Sequence, residues 1–111
     1  MEIRPREVRT YVTPDGHEPF QEWFDELKDG TVRFAILARL TRLRAGNFGH
    51  YRRLNGDLYE LKIPFGAGYR VYFGDVNGVI VLLLCAGTKR TQKRDIQKAK
   101  AYWQEFRRRP L

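Results

Sequence analysis

Five polar side chains between positions 60 and 89 have the types and spacing that phosphate chemistry requires. They are Glu60, Lys62, Arg70, Tyr72 and Lys89. The first two alternate with apolar residues along one predicted strand, and the next two do so along the following strand. Successive side chains of a strand point to opposite faces, so pairing the apolar sets inward puts these four on one outer face of a sheet. We expect that face to be solvated and to be the working surface.

These residues could cleave RNA without a metal ion, by promoting attack of the RNA's own 2′-hydroxyl on the adjacent phosphate. The reaction needs a base for the hydroxyl proton, positive donors for the charge on phosphate, and an acid for the leaving 5′ oxygen. Glu60 could be the base, and Arg70 can hold a phosphate through two donors. Lys62 and Lys89 add charge, and either could be the acid. We expect RNA contacts from Tyr72, which can stack on a base, and from Arg52, Arg90 and Lys93.

A second interpretation of Glu60, Lys62 and Arg70 stays open, namely a cross-strand salt-bridge ladder with no catalytic role. Other catalytic sites are disfavoured. The chain has no serine, and its single cysteine, Cys85, lies in an apolar stretch where a buried thiol is expected. The two histidines show no zinc-ligand spacing with it, so we expect no metal and no cofactor.

Charge is unevenly placed along the chain. The net charge is +8 over 111 residues, with acids in excess before position 31 and bases in large excess after it. Such a field attracts polyanions, and nucleic acid is the first candidate partner.

Hydrophobic spacing and turn residues predict the element order β-α-α-β-β-β-β-α. Strands are expected at 8–12, 50–54, 58–63, 69–73 and 79–85, with the last, wholly apolar one in the centre. Tight turns are expected at Asn55-Gly56 and Asn77-Gly78. The first helix should begin at Pro19 and end at Asp29-Gly30, and the second should run from Thr31 to Gly46. The third should follow Thr91, with Ile96, Ala99, Tyr102 or Trp103, and Phe106 on its buried side.

The expected fold is therefore α+β. It has a twisted, mainly antiparallel sheet with an N-terminal helical hairpin on one face and a C-terminal helix, in a single domain over residues 1–111. No apolar run approaches the ~20 residues of a membrane helix, and no signal-peptide core is visible. We therefore expect a cytoplasmic protein with no membrane partner.

The stretches DLYELKIPFGAGYRVYF, VIVLLLCAGTKRTQ and DIQKAKAYWQEF resemble the RelE/ParE superfamily of bacterial toxins. Within it, the sequence is most similar to the HigB-like branch of addiction module killer proteins. The pairing of PDGHEPFQEWFDEL with LARLTRLRAGNFG also fits, so the resemblance covers nearly the whole chain.

The resemblance implies a RelE-like fold and a toxin that is neutralised by a helix-turn-helix antitoxin. It also implies a metal-independent endonuclease that cuts mRNA on the ribosome. Arg70 matches the strand arginine that contacts the scissile phosphate in RelE-like enzymes. Lys62 and Lys89 match basic positions of the family, whereas Glu60 falls at a less uniform position. The C-terminal helix lacks the active-site tyrosine that RelE carries near the chain end.

Two other functions compete with the nuclease. The ParE side of the superfamily inhibits DNA gyrase without cleaving RNA. A basic module that binds nucleic acid or the ribosome without catalysis would also explain the charge.

Overall fold

The computed structural model describes residues 4–110. The strands are β1 (Glu7–Thr10), β2 (Tyr51–Asn55), β3 (Leu58–Ile63), β4 (Tyr69–Val76) and β5 (Ile80–Thr88). The helices are α1 (Pro19–Asp25), α2 (Gly30–Arg44) and α3 (Gln92–Arg107), with a 3₁₀ turn over Lys89–Thr91 before α3. The predicted α+β class and element order are confirmed.

The strands form one sheet in the order β1-β5-β4-β3-β2. β1 pairs parallel to β5, and the other neighbours pair antiparallel, so the sheet is mixed but mainly antiparallel. The apolar strand β5 is interior, as its composition indicates, but the expectation that it is the middle strand is wrong. That position belongs to β4, because β1 adds outside β5. The expected end of this strand at position 85 is also wrong, since β5 continues to Thr88.

Both N-terminal helices pack on one face of the sheet. Phe20 and Phe24 of α1 and Ile36 of α2 share a core with Leu61 and Phe73 of the sheet. The two helices are also joined by a side chain, since the Arg33 guanidinium donates to the carbonyl oxygens of Phe24 at 2.8 Å and Leu27 at 3.2 Å. The Phe24 carbonyl lies in the last turn of α1 and the Leu27 carbonyl lies just beyond its end, so Arg33 ties α2 to the C-terminal end of α1.

The second face of the sheet is covered by α3. Ala99 and Trp103 of this helix form a second core with Leu58, Tyr72 and Leu84 of the sheet. The approach is close at Gly74, where an added Cβ would lie 2.2 Å from the Trp103 ring. The expectation of a solvated working face is therefore wrong, because the apolar side of α3 lies on it.

Of the two predicted tight turns, one is confirmed and the other differs from the structure by one residue. Asn77 and Gly78 both have positive φ, which confirms the expected tight turn. The β2–β3 turn, however, consists of Gly56 and Asp57, because Asn55 still pairs with Leu58.

The boundary between α1 and α2 also differs. α1 ends at Asp25, and Asp29 is the N-cap of α2, where its carboxylate accepts from the Thr31 backbone N–H at 2.9 Å. Gly30 therefore begins α2 and does not end α1. None of the helices within residues 4–110 has the length and apolar character needed to cross a lipid bilayer.

Candidate functional site

The carboxylate of Glu60 is the centre of a buried polar cluster on the α3 face of the sheet. Its side chain has 0% exposure. Strand register places Arg52 opposite it on β2 and Tyr72 opposite it on β4. Glu60 Oε1 lies 3.3 Å from Arg52 Nε, and Oε2 accepts a 2.7 Å hydrogen bond from the Gln92 side-chain amide. A solvent-facing general base was expected here, and this expectation is wrong because neighbouring strands and α3 enclose the carboxylate.

Arg70 lies beside this carboxylate and is held from two sides. Its Nε is 3.8 Å from Glu60 Oε2, and its Nη1 donates to the Gly68 carbonyl oxygen at 2.8 Å. Only 12% of the side chain is exposed, so the expectation of a solvated arginine is wrong. A guanidinium fixed in this way has little rotamer freedom left to lose when it binds a phosphate.

The Gly68 carbonyl also brings Lys89 to Arg70. The Lys89 backbone N–H donates to this oxygen at 2.8 Å. An added Cβ on Gly68 would lie 3.3 Å from Arg70 Nη1 and 3.6 Å from Lys89 Cβ. The end of the Arg70 side chain and the base of the Lys89 side chain therefore lie beside the same glycine. Gly68 has φ of +76°, a conformation that glycine adopts without strain.

Lys62 is directly opposite Arg70 in the β3–β4 register and is half-buried. Its backbone is tied to α2, because the Arg39 guanidinium donates to the Lys62 carbonyl oxygen at 2.6 Å. Arg39 also donates to the carbonyls of Phe48 and His50. Burial, followed by repulsion from Arg42, lowers the pKa of Arg39.

Tyr72 is wholly enclosed, with 0% exposure. Stacking of its ring on an RNA base was expected, and this expectation is wrong because the ring forms part of the core under α3. Burial first, and then the nearby Glu60 carboxylate, raise the pKa of Tyr72. Its hydroxyl has no aligned hydrogen-bond partner among residues 4–110.

The structure gathers Glu60, Arg52, Arg70, Lys62 and Lys89 at one end of the sheet. Arg90 and Lys93 are exposed on the 3₁₀ turn and the first turn of α3, and therefore lie in the segment that follows Lys89. Arg52 is half-exposed. These three remain accessible for the contacts predicted for them.

The sequence reasoning missed Gln92. Its amide reaches Glu60 because the first residue of α3 lies within hydrogen-bond distance of the β3 carboxylate. No sequence spacing predicts that Gln92 donates to a buried carboxylate, because this contact depends on where the helix lies on the sheet.

The side chains of the cluster are mostly cationic, which suits an anion and not a metal ion. Within the described part of the chain, no three His, Cys, Asp or Glu side chains lie close enough together to hold a metal ion. One buried acid is surrounded by two guanidiniums, with two lysines beside them. The arrangement can hold an anion such as phosphate against fixed positive donors.

The chain matches no known protein family model. It is 46% identical over 87 residues to a protein of Haemophilus influenzae that is described as uncharacterized. The match covers 78% of this chain and 88% of the relative, so it includes most of both proteins.

Proposed function

The chain belongs to the same family as the uncharacterized Haemophilus influenzae protein, and from its cationic site we propose that it is a toxin of a bacterial toxin–antitoxin system. The activity that this site supports best is metal-independent cleavage of mRNA, carried out in the cytoplasm and on the ribosome. The proposed fold type is that of RelE. A mainly antiparallel sheet with helices on both faces is compatible with it.

One observation carries the proposal, namely the convergence of Arg70, Lys62 and Lys89 at one end of the sheet. Lys62 on β3 is the register partner of Arg70 on the neighbouring strand β4. Lys89 and Arg70 both lie next to Gly68. A phosphate bound there would meet a guanidinium and two ammonium groups. Donors fixed before the reaction stabilise the charge that develops on phosphate during attack by the 2′-hydroxyl.

The buried position of Glu60 changes the role that we assign to it. A carboxylate with 0% exposure that already accepts from Gln92 is poorly placed to remove a proton from a substrate. We assign Glu60 as a positioning residue, which holds the guanidiniums of Arg52 and Arg70 in place. Arg70 is then the main phosphate ligand, and Lys62 and Lys89 supply further charge.

RNA approaching this site would also meet exposed cations. Arg52, Arg90 and Lys93 are accessible around the cluster. Phosphate contacts of this kind position the strand and make binding sensitive to salt.

The decisive experiment is a cleavage assay with purified protein, mRNA and programmed ribosomes, read by primer extension. The proposal expects new 5′ ends inside the coding region, and loss of these ends in the Arg70→Ala variant. An Arg42→Ala variant is the matched control, because this arginine is exposed on α2. Intact mRNA together with inhibited DNA supercoiling would instead identify a gyrase inhibitor. Intact mRNA with ribosome binding would identify a non-catalytic module.

The proposed partner is a helix-turn-helix antitoxin that covers the cationic site with an acidic or apolar segment. The excess of basic residues after position 30 supports it. Charge complementarity of this kind speeds association at low salt. The association rate of toxin and antitoxin should therefore fall as ionic strength rises. A rate that does not change with salt would exclude an electrostatic interface.

A further inference from the structure

A cleft of about 250 Å³ opens between α1, the end of β5 and α3. Gly87 lines it, and Gly87 is also the register partner of Arg70 on the neighbouring strand. Neighbouring strands lie about 4.8 Å apart, so the cleft begins one strand away from the proposed phosphate ligand. Its volume is just below the range of about 300–1,000 Å³ for sites that take drug-sized ligands, which suits a smaller group.

Two aromatic rings line this cleft, and other rings hold both of them. Trp23 of α1 lies 6.2 Å from the Tyr69 ring in an edge-on arrangement and 6.2 Å from Phe20. Tyr102 of α3 lies 5.2 Å from the Tyr11 ring. Each is half-buried and keeps part of its surface accessible. Fixed aromatic surfaces of this kind are what bases stack on in proteins that bind single-stranded nucleic acid.

The polar lining has two parts. Arg94 and Lys98 are exposed, lie one helical turn apart on α3, and form no ion pair with an acid among residues 4–110. Asp95 between them is 5% exposed, and its carboxylate accepts from the Thr91 hydroxyl. Gly87 makes room for this carboxylate, since an added Cβ would lie 1.9 Å from Asp95 Oδ2. The lining therefore combines accessible cations with one fixed acceptor.

We propose that this cleft binds the base of the nucleotide whose phosphate lies at Arg70. The inference rests on the proposed function and adds a base-binding subsite to it. The rings of Trp23 and Tyr102 would contact the base, and Arg94 and Lys98 would meet the next phosphate of the strand. The Asp95 carboxylate accepts hydrogen bonds, so it favours the bases that have an exocyclic amino group (adenine, cytosine and guanine) over uracil.

The test is a titration of ¹⁵N-labelled protein with adenosine 3′-monophosphate, followed by NMR. The indole N–H of Trp23 and the amide of Gly87 should shift in a saturable way. The indole of Trp103 is an internal control, because that ring is buried under α3 away from the cleft. Inorganic phosphate should bind more weakly and leave the Trp23 indole unshifted. Uridine 3′-monophosphate should bind more weakly than the adenosine and cytidine compounds.

Variants make the test specific to the cleft. Trp23→Ala should weaken the binding of adenosine 3′-monophosphate about 5- to 150-fold, which is the range for loss of one base–aromatic stack. Trp23→Leu keeps apolar volume against Phe20 and serves if the alanine variant does not fold. Lys98→Ala should weaken nucleotide binding less than Trp23→Ala does. Lys100→Ala, on the same helix but outside the cleft, should leave the nucleotide affinity unchanged.

Equal affinity for phosphate and nucleotide, or parental nucleotide affinity in Trp23→Leu, would overturn the proposal. The cleavage assay separates this failure from failure of the proposed function. A chain that cuts mRNA but shows no nucleotide shift at Trp23 has a nuclease site without this base subsite. A chain that binds the nucleotide in the cleft but cuts no mRNA keeps the subsite and refutes the nuclease.

Discussion

The side-chain amide of Gln92 donates a 2.7 Å hydrogen bond to the carboxylate of Glu60, which joins the first turn of α3 to the buried side of β3. The same carboxylate lies against the guanidiniums of Arg52 and Arg70. The start of α3 and the proposed phosphate ligand therefore share one buried acid.

Glu60→Gln should destabilise the protein by about 1–3 kcal/mol, because a neutral amide leaves two guanidiniums without their counter-charge and puts donors against donors. The measurement is equilibrium urea unfolding. Glu26→Gln is the control, since Glu26 is exposed on the other side of the sheet from α3. Equal unfolding midpoints for the two variants would show that the Glu60 cluster contributes no stability.

Arg70→Ala should reduce mRNA cleavage about 100- to 1000-fold, the usual effect of removing one preorganised donor to developing charge. It should also lower stability, because Arg70 contacts both Glu60 and the Gly68 carbonyl. Arg70→Lys keeps the charge but cannot hold two phosphate oxygens at once, so it should recover activity only in part. Rates are compared on variants shown to be folded by circular dichroism. Cleavage by Arg70→Ala at the parental rate would mean that the site lies elsewhere and that the salt-bridge interpretation is the better one.

Leu82→Asp should unfold the protein. Leu82 is 5% exposed on the α3 side of β5, and an unpaired carboxylate there costs several kcal/mol. That cost is comparable with the ~5–15 kcal/mol stability of a typical domain. Val79→Asp is the control next to the same strand, because Val79 is 58% exposed. A cooperative thermal melt of Leu82→Asp close to that of Val79→Asp would contradict the position of β5 in the sheet.

Stability should fall as pH rises above 9. Burial, with the charge of Asp95 as the second cause, raises the pKa of the Cys85 thiol from 9.0 to about 12. Between these values the unfolded chain releases the proton and the folded chain keeps it, so the free energy of unfolding decreases with pH. Burial likewise raises the pKa of Tyr11 from 10.0 to about 12, with the same sign.

Cys85→Val should remove the thiol part of this pH dependence. Denaturant unfolding of parent and variant from pH 8 to pH 11 provides the comparison. The variant should lose less stability over this interval, with a remaining decrease from Tyr11, Tyr72 and Tyr102, whose pKa values burial also raises. Parallel curves for the two proteins would mean that the thiol titrates alike in the folded and unfolded states.

Strand periodicity predicted which residues share a face of the sheet. Leu61 and Ile63 point to α1 and α2, and Glu60 points to the opposite side, as alternation requires. The exposure of that opposite side was predicted wrongly. The sequence itself indicates that this face is covered, because Leu58, Leu82 and Leu84 lie on it and exposing them to water would be unfavourable. The apolar side of α3 was also recognised, but not the surface that it covers.

Other features lie beyond periodicity. Parallel pairing of β1 with β5 depends on the path of the chain through the two helices and three strands between them, which no local pattern encodes. The extra residue at Leu84, where pairing passes from Tyr72–Cys85 to Phe73–Leu83, shifts the later residues of β5 by one position. It helps to bring Gly87 opposite Arg70, and so contributes to both the cationic site and the cleft.

The pairing of β1 with β5 also has a consequence for synthesis of the chain. β1 has no partner until Ile80 has been synthesised, and until then Phe20 and Phe24 lack the part of their core that Val81 and Leu83 of β5 provide. Contacts so distant in sequence form late and leave apolar surface exposed in incomplete chains. Lys89 and Gln92 follow β5 immediately, so the proposed site is completed in the same late step. A nascent chain should therefore acquire its fold and its activity together, once β5 and the start of α3 have been synthesised.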